Sequence, residues 1–107
     1  MLQLILDVET KQSFDEVGGF FPDRLGISYV GVCVREGFTG EGEMRGYFED
    51  DLDELFPLME RADVVIGYNV DNFDMQTFVP YYNADITAIP TLDLLTRIKE
   101  SVGHRIK

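Results

Sequence analysis

An apolar segment rich in branched aliphatic residues ends in two carboxylates one residue apart, Asp7 and Glu9. We predict that residues 2–8 form a β-strand. Because side chains alternate between the two faces of a strand, Asp7 and Glu9 share one face and lie roughly 6–7 Å apart along the chain. Two carboxylates at this spacing can converge on one hard cation, or on a pair of cations about 3.5–4 Å apart. Charges are also common where strands meet solvent, so this interpretation requires further ligands elsewhere in the chain.

The composition limits the classes of protein to consider. A chain of 107 residues, 45% of them hydrophobic, is long enough for one small domain with a modest core. Nine basic and twenty acidic residues give a net charge of −11, which excludes simple electrostatic binding of nucleic acid. Metal ions can neutralise acidic groups at a phosphate-handling site, so metal-dependent chemistry on nucleic acid stays open.

The single cysteine, Cys33, excludes an internal disulfide, and we predict that it is a small core residue. The apolar start of the chain is short and ends in acids. We therefore expect no signal peptide, no membrane span and no membrane partner, and a cytoplasmic protein.

The order of apolar runs and turn signals predicts an α/β fold. We predict strands at residues 2–8, 25–34, 44–49, 63–68 and 87–91. We predict helices at residues 51–62, 71–79 and 92–102. The short connections between the first three strands predict a three-strand antiparallel meander, and the later alternation predicts parallel strands covered by helices. We therefore expect one domain over residues 1–107, built on a mixed sheet.

Some residues mark the predicted helix ends. Asp51 and Glu54 suit a capping box at the start of the first helix. Pro57 is expected to kink that helix or delay its start, because proline inside a helix costs about 3 kcal/mol. Thr91 is predicted to cap the last helix, and Gly103 is predicted to end it.

The connection at residues 11–24 is unusually aromatic, with Phe14, Phe20 and Phe21. If these rings are exposed, they can stack on nucleic-acid bases. The alternative, which we favour, is that they pack together as the core of the loop itself. In either case the loop follows the acid pair and is suited to form one edge of a binding site.

A second acidic segment follows the predicted strand at residues 63–68. Asn69 leads into a helix start that contains Asp71 and Asp74. In open α/β sheets, functional sites gather at the carboxyl ends of parallel strands. If this strand is a parallel neighbour of the first, a carboxylate from this turn faces the acid pair. Asp71 and Asp74 are alternatives for that ligand, and Asp71 is also suited to be a helix N-cap.

The pairing of Asp7-x-Glu9 with the segment YNVDNFD at residues 68–74 resembles the first two motifs of DEDD-type 3′–5′ exonucleases. The second motif is most similar to that of the proofreading domains of family B DNA polymerases and of small bacterial exonuclease-like proteins. The resemblance covers residues 2–103. It implies a ribonuclease H-like fold and hydrolysis of phosphodiester bonds in DNA or RNA.

The resemblance also implies the roles of the site residues. Asp7, Glu9 and Asp74 would be metal ligands, and Asn69 and Phe73 would position the turn of the second motif. Two divalent cations, Mg²⁺ or Mn²⁺, would activate water and stabilise an in-line displacement at phosphorus. The expected partner is the 3′ end of a single strand of DNA or RNA. The residues expected to contact this substrate are Thr10, Phe20, Phe21, Asn69 and Phe73.

The third motif of this family, a Tyr or His followed by a fourth Asp, is absent from the 107 residues. We therefore expect a domain without its C-terminal part that cuts nucleic acid weakly or not at all. We also expect self-association through the apolar surface that the missing helix would cover. The alternative is a non-catalytic ribonuclease H-like module for protein interaction, or a structural fragment. Asp93 is predicted to be a first-turn helix charge, and His104 part of a solvated basic tail.

Overall fold

The computed structural model describes residues 1–37 and 40–106, with side chains described up to residue 102. Within these residues, the strands of one mixed sheet are β1 (Leu2–Thr10), β2 (Ile27–Glu36), β3 (Glu43–Phe48), β4 (Val64–Gly67) and β5 (Thr91–Asp93). Their order across the sheet is β3-β2-β1-β4-β5. The pairs β1–β2 and β2–β3 are antiparallel, whereas β1–β4 and β4–β5 are parallel. The predicted mixed α/β fold is confirmed.

The helices are α1 (Phe14–Val17), α2 (Leu52–Arg61), α3 (Met75–Thr77) and α4 (Leu94–Ile106). Short 3₁₀ turns occupy Pro22–Arg24, Glu49–Asp51 and Ile86–Ala88, and a π-helical turn occupies Val70–Asp74. The predicted helix at residues 71–79 is therefore a π-helical turn followed by the short α3. The predicted loop at residues 11–24 contains α1, which begins with a capping box between Ser13 and Glu16.

The core lies on one face of the sheet. Leu4, Leu6 and Val8 of β1 are buried there, in one apolar cluster with side chains of α2 and with Phe78. The opposite face is open, and Asp7 and Glu9 are exposed on it. The alternation predicted for the first strand is therefore present from Leu4 to Glu9, whereas Gln3, on the same face as Asp7, is buried.

Cys33 is half-buried and pairs in register with Ile5 on the open face, so the prediction that it is a core residue was wrong. On α4, the apolar residues Leu94, Ile98 and Val102 are exposed at four-residue spacing. The expected self-association would depend on surfaces of this kind. None of the described helices is long and apolar enough to cross a membrane.

Helix ends depart from the prediction in two places. The carboxylate of Asp51 accepts the N–H of Phe48 at 3.3 Å and caps the preceding 3₁₀ turn, so the predicted capping box with Glu54 is wrong. Pro57 lies inside α2, which nevertheless continues to its end at Arg61. Buried apolar side chains on either side of Pro57 hold this helix to the sheet and offset the lost backbone hydrogen bond.

The C-terminal elements are shifted along the sequence. The strand predicted at residues 87–91 is wrong, since β5 begins at Thr91 and pairs Gly67 with Asp93. The last helix consequently begins at Leu94, and Asp93, not Thr91, caps it by accepting the N–H of Leu95 at 3.0 Å. This helix continues through Gly103. The predicted tail at His104 lies outside the described side chains.

Gly67, at the end of β4, has no space for a side chain. An added Cβ would lie 2.9 Å from the Cβ of Val70 and 3.4 Å from the carbonyl oxygen of Leu6. We predict that Gly67→Ala lowers the free energy of unfolding by about 1–3 kcal/mol through overpacking, measured by urea denaturation. Gly31→Ala is the matched control, because its Cβ would meet only a ring carbon of Tyr29 at 3.8 Å. Equal effects of the two substitutions would contradict this account of Gly67.

Candidate functional site

Strand β1 extends beyond its parallel neighbour β4, and a carboxylate occupies the place where β4 has ended. β4 pairs only with Gln3–Ile5, although β1 continues to Thr10. Beyond that ladder, the N–H of Val8 donates a hydrogen bond to Oδ2 of Asp74 at 3.2 Å. Because Val8 lies between Asp7 and Glu9, this bond brings Asp74 to the segment of β1 that carries both acids.

The turn after β4 positions Asp74. Asn69 adopts a left-handed conformation with φ 60°, which asparagine tolerates better than most residues. The carbonyl of Asn69 then accepts the N–H of Phe73 at 3.0 Å, within the π-helical turn. The hydroxyl of Thr77 donates to the carbonyl of Asp74 at 2.6 Å. Asp74 is only 4% exposed, and its side chain is directed towards β1.

The electrostatics of Asp74 show which acids are near it. The pKa of Asp74 is raised to about 7: burial is the largest cause, the Val8 N–H opposes it, and the negative charges of Asp7 and Asp93 add to the rise. Asp7 and Asp74 are therefore close enough to interact electrostatically. Asp71 is exposed, and its carboxylate accepts a hydrogen bond from the hydroxyl of Thr91. Of the two alternatives, Asp74 is the one that the fold brings to the acid pair.

The carboxylates at this edge of the sheet are hard oxygen donors of the kind that Mg²⁺ and Mn²⁺ prefer. Asp7 and Asp74 repel each other, so a cation between them would be favoured electrostatically. Among the described residues, however, no three His, Cys, Asp or Glu side chains lie close enough together to hold a metal ion. Glu9 is exposed at the end of β1 and is not part of such a group. The donor chemistry fits a divalent cation, and the geometry brings together two of the three predicted ligands.

Asp93 has a different role from the one predicted. Its side chain is 6% exposed, and its carboxylate accepts the N–H of Asn69 at 2.9 Å, of Asp71 at 3.1 Å and of Leu95 at 3.0 Å. It therefore joins the turn after β4 to the start of α4. The signal in the sequence was an acid at the end of a parallel strand next to β4, but the predicted strand boundary obscured it.

The aromatic loop lies against the turn that carries Asp74. Phe14 stacks on Phe20 with ring centroids 4.7 Å apart, and it meets Phe73 edge-on at 5.9 Å. Phe20 is 62% exposed, and Phe21 is also exposed beneath the guanidinium of Arg24 at 4.3 Å. The expectation that these two rings form the core of the loop was therefore wrong, because both are exposed.

Thr10, the remaining residue expected to contact substrate, is half-buried at the end of β1. Its hydroxyl donates to the carbonyl of Gln12 at 3.0 Å, so it supports the beginning of the aromatic loop. Asn69 is also half-buried, and its backbone N–H is bound to Asp93.

The fold and the site together define a mixed α/β domain with acids at the carboxyl ends of adjacent parallel strands. No protein-family model matches the sequence, and no curated protein matches it. Among solved structures, the family B DNA polymerase from the hyperthermophilic archaeon Pyrobaculum calidifontis is similar in fold, with a TM-score of 0.62 and 15% sequence identity over 94% of this chain. The chain spans 16% of the length of that polymerase. At this identity the similarity concerns the fold alone.

The raised pKa of Asp74 predicts an unusual pH dependence of stability in metal-free buffer. Since its pKa rises from 3.8 to about 7 on folding, the folded state retains a proton that the unfolded state releases. The free energy of unfolding should therefore fall as pH rises from about 4 through 7, at about 1.4 kcal/mol per pH unit at most. Asp74→Asn should remove this decline, measured by urea denaturation at intervals from about pH 5 to pH 8.

Asp85→Asn is the control for that experiment. Hydrogen bonds from the hydroxyl and N–H of Thr87 lower the pKa of Asp85, so its titration lies below this pH range. The Asp85→Asn protein should show the same decline as the unmodified chain. If Asp74→Asn also shows it, Asp74 is not the group responsible.

Proposed function

We propose that this chain forms a ribonuclease H-like domain of the DEDD exonuclease type, which hydrolyses phosphodiester bonds at the 3′ ends of single-stranded DNA or RNA. The observation that carries the proposal is the hydrogen bond from the N–H of Val8 to Asp74. It joins the two acidic motifs at the carboxyl ends of parallel strands, where α/β folds place their sites. The similarity in fold to a DNA polymerase supports a role connected with nucleic acid.

Asp7, Glu9 and Asp74 are the proposed ligands of two divalent cations, Mg²⁺ or Mn²⁺. When bound, such ions supply an activated water and charge stabilisation for displacement at phosphorus. The residues of the chain hold the acids in place: the Val8 N–H fixes Asp74, and the central strand fixes Asp7. Glu9, being exposed, is proposed to complete the set by a change of rotamer.

The aromatic loop is the proposed binding surface for the single strand. Phe20 offers an exposed ring, and Phe14 links it to Phe73 in the turn that carries Asp74. Stacking of a base on an aromatic ring contributes about 1–3 kcal/mol and tolerates any sequence. Arg24, above Phe21, adds positive charge to this edge of a strongly acidic chain.

A non-catalytic module is the second candidate function. One observation favours it: among the described residues, no three His, Cys, Asp or Glu side chains lie close enough together to hold a metal ion. Such a module would use the same fold for contact with another macromolecule. Its stability would not respond to divalent cations.

A metal titration separates the two candidates. Mn²⁺ should raise the melting temperature of the chain at about pH 8, because a ligand of the folded state at a hundredfold excess over its Kd stabilises by about 2.7 kcal/mol. Asp7→Asn should abolish the rise. Asp53→Asn, which removes an exposed acid on α2, is the matched control and should preserve the rise.

The same proteins should be incubated with Mn²⁺ and a 5′-labelled single strand. We expect slow shortening from the 3′ end, because the fold brings together only two of the three proposed ligands, and no shortening with Asp7→Asn. Unchanged melting temperatures in all three proteins, with no shortening, would favour the non-catalytic module.

The aromatic surface has its own test. Phe20→Ala should weaken binding of a fluorescent single strand by about 1–3 kcal/mol, measured by fluorescence anisotropy, because a stacking platform is lost. Phe48→Ala is the matched control: its ring is 63% exposed and pairs edge-on with Tyr29, but it lies on β3 at the far edge of the sheet. Equal loss of affinity in both proteins would argue against a specific binding loop.

A further inference from the structure

The carboxylate of Asp93 is the one described side chain that binds both the turn after β4 and the start of α4. Register places it opposite Gly67, the last residue of β4, so it stands where the chain leaves that strand. One oxygen, Oδ1, accepts the N–H groups of Asn69 and Leu95, and the other, Oδ2, accepts the N–H of Asp71. Both oxygens are thus occupied by backbone donors.

These bonds provide acceptors for backbone N–H groups at the start of the turn after β4, which have few other partners. Asn69 is left-handed, and residues at the start of a helical turn have N–H groups without partners inside that turn. Asp93 supplies those partners at two of its positions, Asn69 and Asp71. The turn ends at Asp74, three residues beyond Asp71, where the side chain meets β1. Fixing the beginning of so short a turn fixes the direction of its last side chain.

We propose that Asp93 is a positioning residue, which holds the turn after β4 so that Asp74 reaches the acid pair of β1. Its importance for metal binding rests on the proposed function. Its effect on the placement of Asp74 does not, and can be measured without metal. Residues that orient metal ligands from outside the coordination sphere typically change metal affinity by about 10–100-fold when they are replaced.

Two substitutions separate this role from helix capping. Asn and Ser are both good N-caps, so Asp93→Asn and Asp93→Ser should still cap α4 through the N–H of Leu95. Asn presents an amide NH₂ group where Asp93 has its second oxygen, and Ser has one oxygen on a shorter side chain. Neither can accept all the bonds that Asp93 accepts. Asp85→Asn is the matched control, because Asp85 also accepts a backbone N–H, that of Thr87 at 3.0 Å, in a turn before β5.

The first measurement is amide hydrogen exchange without metal. We expect exchange at Asn69, Asp71 and Val8 to accelerate roughly tenfold or more in both Asp93 proteins and to stay unchanged in Asp85→Asn. Unchanged exchange at Val8 would overturn the proposal, since Asp74 would then keep its place without Asp93. If neither Asp93 protein folds, hydrogen exchange in the unmodified chain decides. Protection of the Asn69 and Asp71 amides equal to that of the Val8 amide supports the proposal. Fast exchange of the Asn69 and Asp71 amides overturns it.

The second measurement is Mn²⁺ affinity at a temperature where all proteins are folded. A loss of roughly 10–100-fold in the Asp93 proteins, with none in Asp85→Asn, supports the proposal. Full affinity in the Asp93 proteins despite faster exchange at Val8 would overturn the role of Asp93 in metal binding. If the unmodified chain itself fails to bind Mn²⁺, the proposed function fails, and exchange at Val8 alone decides the role of Asp93.

Discussion

The hydrogen bond between Val8 and Asp74 depends on a difference in strand length. β1 is the central strand, and it continues after its ladder with β4 has ended at Ile5. A buried backbone N–H without a partner costs about as much as a lost hydrogen bond, so an acceptor at this edge is strongly favoured. Asp74 supplies that acceptor, but it does so at the cost of burying a carboxylate, which is why its pKa rises to about 7. The close contact of Gly67 with Val70 and the left-handed conformation of Asn69 shape the turn that brings Asp74 to β1.

The sequence pattern is strong in the first four strands and in α2, and it predicted the boundaries of these elements to within about two residues. Burial alternates along the first strand from Leu4 to Glu9, and the apolar stripe of α2 is retained in the presence of Pro57. The C-terminal elements were not predictable in the same way. β5 has three residues, too few for any period to emerge, and its boundaries follow from pairing with β4. An error of a few residues there moved Asp93 from a strand end into a helix.

The candidate site was predictable where topology alone brings residues together. Asp7 lies near the carboxyl end of β1 and Asp74 lies in the turn that follows its parallel neighbour β4, so their proximity needed no knowledge of side-chain packing. The role of Asp93 required the register between β4 and β5, which no local pattern contains. The exposure of Phe20 and Phe21 likewise depends on how the loop docks, since the same aromatic composition also suits a small core.

Among the described residues, Asp74 is held by a backbone N–H group, and no basic side chain forms an ion pair with an acid of the site. The described ion pairs, Lys11–Glu49, Arg45–Glu43 and the N-terminus with Glu36, all involve other carboxylates. Backbone donors orient a carboxylate and lower its pKa, but they add no positive charge, so the repulsion between Asp7 and Asp74 stays uncompensated. Protonation of Asp74 relieves that repulsion near neutral pH, and a divalent cation would relieve it more completely by displacing the proton. The electrostatic competition between a proton and a metal at Asp74 is therefore a direct consequence of how the fold holds this residue.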